Sequence, residues 1–233
     1  MKILVFTDVH GSLNALHAIE ETKDFKTADK KIFLGDVVFG CSRPNECVEF
    51  LKKNKCTCIL GNNDSYVVDH IPEVDVAEFD SEKLVQMDWI RDILLESNKK
   101  IISSWPREVK MTIDGKKFVF MHYPWENYNN DINVIDSPLV PNVQIRKEMF
   151  SRFDADYIIF GHEHQTSYFT DGQKHYFCIG SLGLKVHAPY LMIDTNNGEK
   201  VDMQEKFVQF DIDEEIRLMD LAGYPYAKNK LRV

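Results

Sequence analysis

Five apolar stretches, each the length of a β-strand, run into a side chain that can ligate a metal. KILVFT (residues 2–7) meets Asp8 and His10, KIFLG (31–35) meets Asp36, and CTCILG (56–61) meets Asn62. FVFM (118–121) meets His122, and YIIFG (157–161) meets His162 and His164. Any one of these would pass as turn chemistry or as a hydrogen-bonded histidine, because Asn, Asp and Gly tolerate left-handed backbone. Their repetition does not, since turns would supply Ser, Pro and Lys as readily. Residues two apart on an extended segment point the same way, so Asp8 is expected to pair with His10, and His162 with His164, as two preformed pincers. Ligands gather at the carboxyl ends of strands in open α/β sheets, so the three oxygen donors and four imidazoles are expected to share one site. Nitrogen and oxygen donors without thiolate suit Mn, Fe, Zn, Co or Ni better than Ca.

The segments between these strands set the topology. Ser12 is a candidate N-cap for a helix carrying Leu13, Leu16 and Ile19, and Pro44 suits the first turn of a helix through EFLKKN. Strand, helix, strand, helix, strand in this order predicts parallel pairing with right-handed crossovers. A helical insertion is expected at about 65–105, where Leu84, Met87, Ile90 and Leu94 are spaced for one buried stripe. VKMTIDGKKFVFMHY predicts two strands about an Asp-Gly hairpin, followed by a polar, aromatic loop at 123–138 and a helix near 141–153. Two further hairpins are expected to turn at Asp171-Gly172 and Asn197-Gly198. A helix from about 212 to 221 then ends at Gly223, ahead of a C-terminal tail to 233. The front half is βαβ-like and the back half hairpin-like, which predicts an α/β fold of two mixed β-sheets packed face to face with helices outside. No linker divides residues 1–233, so a single domain is expected.

Charge and composition narrow the partners. With 28 Lys and Arg against 37 Asp and Glu, the net charge is −9, so gripping nucleic-acid backbone is not the expected business of this chain. The short basic KNKLRV end is read as a solvated tail. The opening MKILVFTDVH has neither the length of a membrane span nor the pattern of a signal peptide, so a cytoplasmic protein with no membrane partner is expected. Five scattered cysteines without CxxC spacing are expected to be free thiols. A homo-oligomer is compatible with the sequence.

The ordered series D-x-H, G-D, G-N-x-D, H, G-H-x-H, running from Asp8 to His164, resembles the calcineurin-like metallophosphoesterase family, and within it the compact bacterial and archaeal phosphodiesterase branch. GDVVFGCSRPNECVEFL extends the resemblance beyond the ligand positions. It implies a four-layer α/β/β/α sandwich and two divalent transition-metal ions, manganese first, with Fe, Zn, Ni and Co as alternatives. Asp8, His10 and His164 would hold one ion, Asn62, His122 and His162 the other, and Asp36 would bridge them. A hydroxide shared between ions about 3.5–4 Å apart would be the nucleophile. The implied activity is phosphohydrolysis of a small phosphodiester or nucleotide anhydride, dinucleoside polyphosphates among them. A broad phosphomonoesterase of the same fold is one alternative, and a metallophosphoesterase-like interaction scaffold is another.

One position departs from the family pattern. Many family phosphatases carry a histidine directly after the ligand asparagine, and Asn63 stands there instead. An amide donates a hydrogen bond but supplies no proton, and general acid catalysis is worth about 10² to 10⁴ in rate, so acidic leaving groups are expected. Asp64, which in the family often orients that histidine, is read as an auxiliary residue or a helix cap. Asn63, Ser181 in IGSLG, and Tyr123 and Trp125 beside Tyr128 are candidate substrate contacts, the aromatics by stacking on a base; packing of a loop onto the body is an equal reading of the aromatics, and making the turn is the other reading of Ser181. His17 and His175 are read as structural or solvated; His70 and His187 are left open.

Overall fold

The computed structural model describes residues 1–72, 79–128, 131–134, 143–195 and 201–227. Strand β1 (Lys2–Phe6) is apolar on both faces because it is covered on both. Ile3 and Val5 enter one core and Leu4 and Phe6 another, all fully buried. Parallel to it runs β2 (Lys30–Phe33), itself parallel to β3 (Thr57–Cys58), as the alternation of strands and helices predicts. On the other side β11 (His187–Asp194) is antiparallel to β1 and pairs with β12 (Asp202–Gln209), so the sheet order is β12-β11-β1-β2-β3.

The second sheet consists of β4 (Glu108–Ile113), β5 (Lys116–Met121), β8 (Tyr157–Phe160), β9 (Ser167–Thr170) and β10 (His175–Cys178), in the order β4-β5-β8-β10-β9. Its three inner strands are parallel, and each edge strand joins by a hairpin. The Asp114-Gly115 turn has positive φ at both residues (49° and 76°), the backbone that favours Gly and Asp in a two-residue hairpin. Strands β6 (Trp125–Tyr128) and β7 (Asp131–Val134) form a separate two-stranded ribbon.

Ile3, Val5, Ile32 and Leu34 of the first sheet meet Phe118, Phe120, Ile159 and Phe177 of the second, and each such side chain contributes about 1.5–3 kcal/mol by leaving water. Helices α1 (Leu13–Glu20), α2 (Lys23–Thr27), α3 (Pro44–Lys53), α4 (Asn62–Val68), α5 (Ser81–Ile93), α6 (Glu96–Ser103) and α8 (Ile212–Leu221) cover the outer face of the first sheet. The outer face of the second carries Phe150 and Phe153, which follow α7 (Val143–Met149). The result is the expected four-layer α/β/β/α arrangement. Among the described residues no helix is long and apolar enough to cross a membrane.

Several local expectations need correction. The insertion is not one continuous helix: Leu94 and Leu95 are extended and divide α5 from α6. Its stripe buries Met87, Ile90 and Leu94 but leaves Leu84 38% exposed. Asn62, Asn63 and Asp64 open α4, with Gly61 as its N-cap. The loop expected at 123–138 contains the β6–β7 ribbon. Ser12 occupies the N-cap position of α1, but its hydroxyl donates to Glu215 Oε2 at 3.0 Å rather than capping. The Asn197-Gly198 turn and the tail at 228–233 lie outside the described residues.

Candidate metal centre

Each candidate ligand stands just past the strand that delivers it. Asp8, His10, Asp36, His162 and His164 all have positive φ, between 52° and 69°. The strands have therefore ended, and the paired ligands converge by left-handed kinks rather than by strand alternation. Such backbone costs about 1–3 kcal/mol per non-glycine residue and persists only where its surroundings fix it. Here Asp8 N donates to Gly35 O at 2.9 Å, His10 N to Asp36 O at 2.9 Å, and Gly183 N to Asp8 O at 3.0 Å.

The kinks bring two adjoining donor sets together. In the first, Asp8 Oδ1 lies 3.1 Å from His164 Nε2 and 3.5 Å from His10 Nε2, and those two nitrogens are 3.0 Å apart. Asp8 Oδ2 is occupied, accepting from Thr7 Oγ1 at 2.7 Å and from His162 N at 3.0 Å, whereas buried Oδ1 accepts no hydrogen bond. His10 Nδ1 is 2.5 Å from Phe39 O, which makes Nδ1 the donor and leaves Nε2 with a free lone pair. In the second set, Asn62 Oδ1 lies 3.0 Å from both His122 Nε2 and His162 Nδ1, and Asp36 Oδ2 is 3.4 Å from His122 Nε2. His122 Nδ1 faces Leu34 O at 3.2 Å, again freeing Nε2. Asp8, Asp36 and His122 each offer an atom within 4.8 Å of the others, so the two sets share a wall. An orphaned buried carboxylate oxygen, imidazole nitrogens crowded against it and backbone carbonyls that fix the tautomers suit divalent cations. The donors fit such ions.

Electrostatics supports the same conclusion. Burial opposes charge on every group here, yet His122 and His164 hold Asp8 well below the usual carboxylate range, and His122 holds Asp36 at about 2. Burial likewise opposes the His122 imidazolium, but Asp36 and Asp8 raise its pKa to about 9. Burial and the charge on His122 push His162 down to about 4, leaving it the neutral imidazole that a metal needs. Without a cation, this cluster keeps its carboxylates ionised by borrowing protons onto histidine.

The auxiliary and substrate candidates fare differently. Asp64 is fully buried, and its oxygens accept from Val37 N at 2.8 Å, Val38 N at 3.2 Å, Asp36 N at 2.8 Å and Gly61 N at 3.1 Å. It ties the start of α4 to the Asp36 turn, which is a cap and an anchor rather than a proton shuttle. Burial and the neighbouring Asp36 charge pull its pKa up to about 7, against four amide donors that favour the ionised form. Asn63 donates to Asp36, not outward: N to Oδ1 at 2.9 Å and Nδ2 to Oδ2 at 2.5 Å. Ser181 is not open to a substrate, being fully buried with its hydroxyl on Asp8 O at 2.7 Å. Tyr123, 1% exposed, packs its ring 4.6 Å from that of His162 and cannot stack on a base. Trp125 carries Arg152 over its ring at 4.5 Å. His187 faces Gln209 at 3.0 Å, and His70 pairs with Asp69 at 3.0 Å on the surface. Burial raises the thiol pKa of Cys47, Cys56, Cys58 and Cys178, and all five cysteines are free.

One supporting cluster escapes the sequence reading. Arg146 on α7, almost fully buried, makes a two-pronged contact with Glu163 at 2.6 Å on both arms, and Tyr123 Oη donates to Glu163 Oε1 at 3.0 Å. Glu163 stands between His162 and His164, so the clamp sets the loop that carries both imidazoles. The only sequence signal was a carboxylate between two candidate ligands, and its partner lies 17 residues upstream.

Comparisons with known proteins agree with this architecture. Residues 1–198 match the family model of the calcineurin-like phosphoesterase superfamily domain. An uncharacterized protein of Methanocaldococcus jannaschii is 34% identical over 122 residues, 52% of this chain and 48% of that one, so the matched region spans about half of the relative. Among solved structures, a metallophosphoesterase from Sphaerobacter thermophilus superposes with a TM-score of 0.73 at 22% identity, covering 97% of this chain and 95% of the other. A hypothetical protein from Pyrococcus horikoshii superposes with a TM-score of 0.79 at 16% identity, covering 97% and 94%. At those identities the likeness concerns the fold.

Proposed function

Because the chain belongs to the calcineurin-like phosphoesterase superfamily, we propose that it is a phosphohydrolase using two divalent transition-metal ions to cut phosphodiesters or nucleotide phosphoanhydrides. The observation that carries this reading is the adjacency of the two donor sets: Asp8 of the first and His122 of the second lie, with Asp36, within 4.8 Å of one another. Asp8, His10 and His164 would hold one ion, Asn62, His122 and His162 the other, and Asp36 would stand between them. Ions held by these residues would activate water as a nucleophile at neutral pH and offset charge on the phosphoryl oxygens; manganese is the first candidate. The chain's own residues fix donor geometry and keep His162 neutral.

The preference for diesters and anhydrides rests on Asn63. Its amide is turned onto Asp36, so no side chain at this position offers a proton to a departing alkoxide. Leaving groups acidic enough to depart as anions suit such a site. Metal analysis of the purified protein, coupled to a hydrolysis screen over nucleotides, activated mono- and diesters and dinucleoside polyphosphates, tests the reading. Two equivalents of metal and turnover of diesters or anhydrides above monoesters are expected. Faster turnover of alkyl monophosphates would overturn the preference, and protein that binds no metal would overturn the activity.

A further inference from the structure

The turn that follows α8 reaches back to the candidate metal centre. The helix ends in a Schellman motif: Gly223 takes φ 71°, its amide donates to Asp220 O at 3.1 Å, and Tyr224 N donates to Met219 O at 2.9 Å. Glycine adopts that backbone without the cost of a Cβ, so Gly223 fixes the direction in which Tyr224 departs. The Tyr224 ring is 4% exposed and meets Trp89 of α5 edge-on at 5.1 Å. From the same helix, Gln86 Nε2 donates to Pro225 O at 2.9 Å. The tyrosine is thus held by its own helix, by its ring and through the residue after it.

Its hydroxyl supports one peptide group. Tyr224 Oη accepts from Gly40 N at 3.1 Å, and the carbonyl of that same peptide, Phe39 O, lies 2.5 Å from His10 Nδ1. The contacts run in series from phenol through peptide to imidazole, and each hydrogen bond polarises the next. Phe39 has φ 65° and Gly40 φ 140°, backbone on both sides of the peptide that persists only where its surroundings fix it. The loop also presses on the ligand itself: a Cβ on Gly40 would lie 2.8 Å from His10 Cβ, and Cys41 N donates to His10 O at 2.6 Å. Helix α8 braces the flanks of this loop too. Buried Glu215 accepts from Ser12 Oγ at 3.0 Å and pairs with Arg43 at 2.7 Å, and Arg43 N donates to Gly11 O at 3.2 Å. The corresponding contact of the second donor set, His122 Nδ1 to Leu34 O at 3.2 Å, falls just past β2 and involves no residue of the C-terminal segment.

We propose that Tyr224 is a positioning residue for His10: through the Phe39–Gly40 peptide its hydroxyl aims the imidazole and keeps the proton on Nδ1, so the segment after α8 serves the first donor set without supplying a ligand. The inference rests on the reading above in which Asp8, His10 and His164 hold one ion. A carbonyl polarised from behind accepts the Nδ1 proton more strongly, and that makes Nε2 the better donor to a cation.

The test compares the full-length wild type with Tyr224→Phe, which keeps the ring against Trp89 and removes the oxygen. Zn²⁺ binding is measured by calorimetry, and the Nδ1–H resonances of His10 and His122 are followed by NMR in ¹⁵N-labelled, Zn²⁺-loaded protein. Affinity at one of two sites is expected to fall about tenfold, the low end of what hydrogen-bond partners of metal-bound imidazoles contribute. The His10 Nδ1–H signal should move upfield while that of His122 stays in place. Wild-type affinity, an unmoved His10 signal, or equal changes at both sites and both imidazoles, which a general loosening of the fold would give, overturns the proposal. Should Tyr224→Phe fail to fold, 3-fluorotyrosine introduced at position 224 keeps the packing with a weaker acceptor oxygen and carries the same comparison. A wild type that binds no Zn²⁺ sinks the metal-centre reading instead, and the two failures stay distinct because that outcome is judged on the wild type alone.

Discussion

Asn63 binds the carboxylate of Asp36 at both oxygens, through its backbone amide to Oδ1 and its side-chain amide to Oδ2. The residue proposed to stand between two cations is therefore held at both of its oxygens by its neighbour on α4. Asn63→Ala removes the side-chain arm, and loss of such an outer hydrogen bond typically weakens metal affinity about 10–100-fold. Calorimetric titration with Mn²⁺ checks this, and an isotherm identical to that of the wild type would dismiss the role.

Protons and metal compete for the same imidazoles. His122 titrates at about 9, well above its unfolded value of about 6.5, because Asp36 and Asp8 outweigh its burial. At pH 7 the metal-free protein therefore carries a proton there that a cation must expel. Mn²⁺ affinity should rise as pH climbs from about 6.5 to 9 and level off above. In chelator-treated protein the sign is opposite. The charge on His122 stabilises the fold fully below pH 6.5, and that contribution is lost as pH passes through 9. Melting of chelated protein at pH 6.5 and 9.5, beside titrations in buffers of different ionisation enthalpy, tests both halves. Metal binding without proton release would contradict them.

Gly61 reports how closely α4 approaches the Asp36 turn. A Cβ at this position would collide with Asp36 Oδ1 and with Asp36 N, although the φ of Gly61, −84°, suits any residue. Gly61→Ala should therefore displace the carboxylate rather than strain the glycine's own backbone. We expect at least tenfold weaker metal binding with far-UV circular dichroism unchanged. Wild-type affinity in that variant would show that the turn yields freely.

The Arg146–Glu163 pair offers a stability test. Removing one partner of a buried ion pair strands the other, at a cost of about 3–5 kcal/mol, whereas replacing both by apolar residues is far better tolerated. Urea unfolding of Glu163→Ala should show a loss of that order, and the double variant Arg146→Leu with Glu163→Leu should regain much of it. Equal stability of the single variant and the wild type would place the pair outside the energetics of the fold.

How much of this was legible in the sequence follows from the range of the interactions. Apolar runs that stop at Asp8, Asp36, Asn62, His122 and His162 predict strand ends because local pattern fixes where a strand ceases, and parallel pairing follows from the intervening helices. The left-handed kinks at Asp8, His10, Asp36, His162 and His164 were hidden. They are imposed by partners such as Gly35 and Gly183, which only the finished fold brings near. Ser181 and Tyr123 look like substrate contacts by position but are engaged by Asp8 O and by Glu163, partners distant in sequence.

The contact between His162 N and Asp8 Oδ2 spans 154 positions of chain and joins the end of one sheet to the end of the other. Neither sheet alone supplies a complete donor set, because Asp8 and Asp36 follow strands of the first while His122, His162 and His164 follow strands of the second. Pairings of such sequence separation form late, after their loop-closure entropy has been met by other contacts. Metal uptake would then be the last event of refolding, and the spectroscopic appearance of a Co²⁺-loaded centre would trail secondary structure and time the meeting of the two halves.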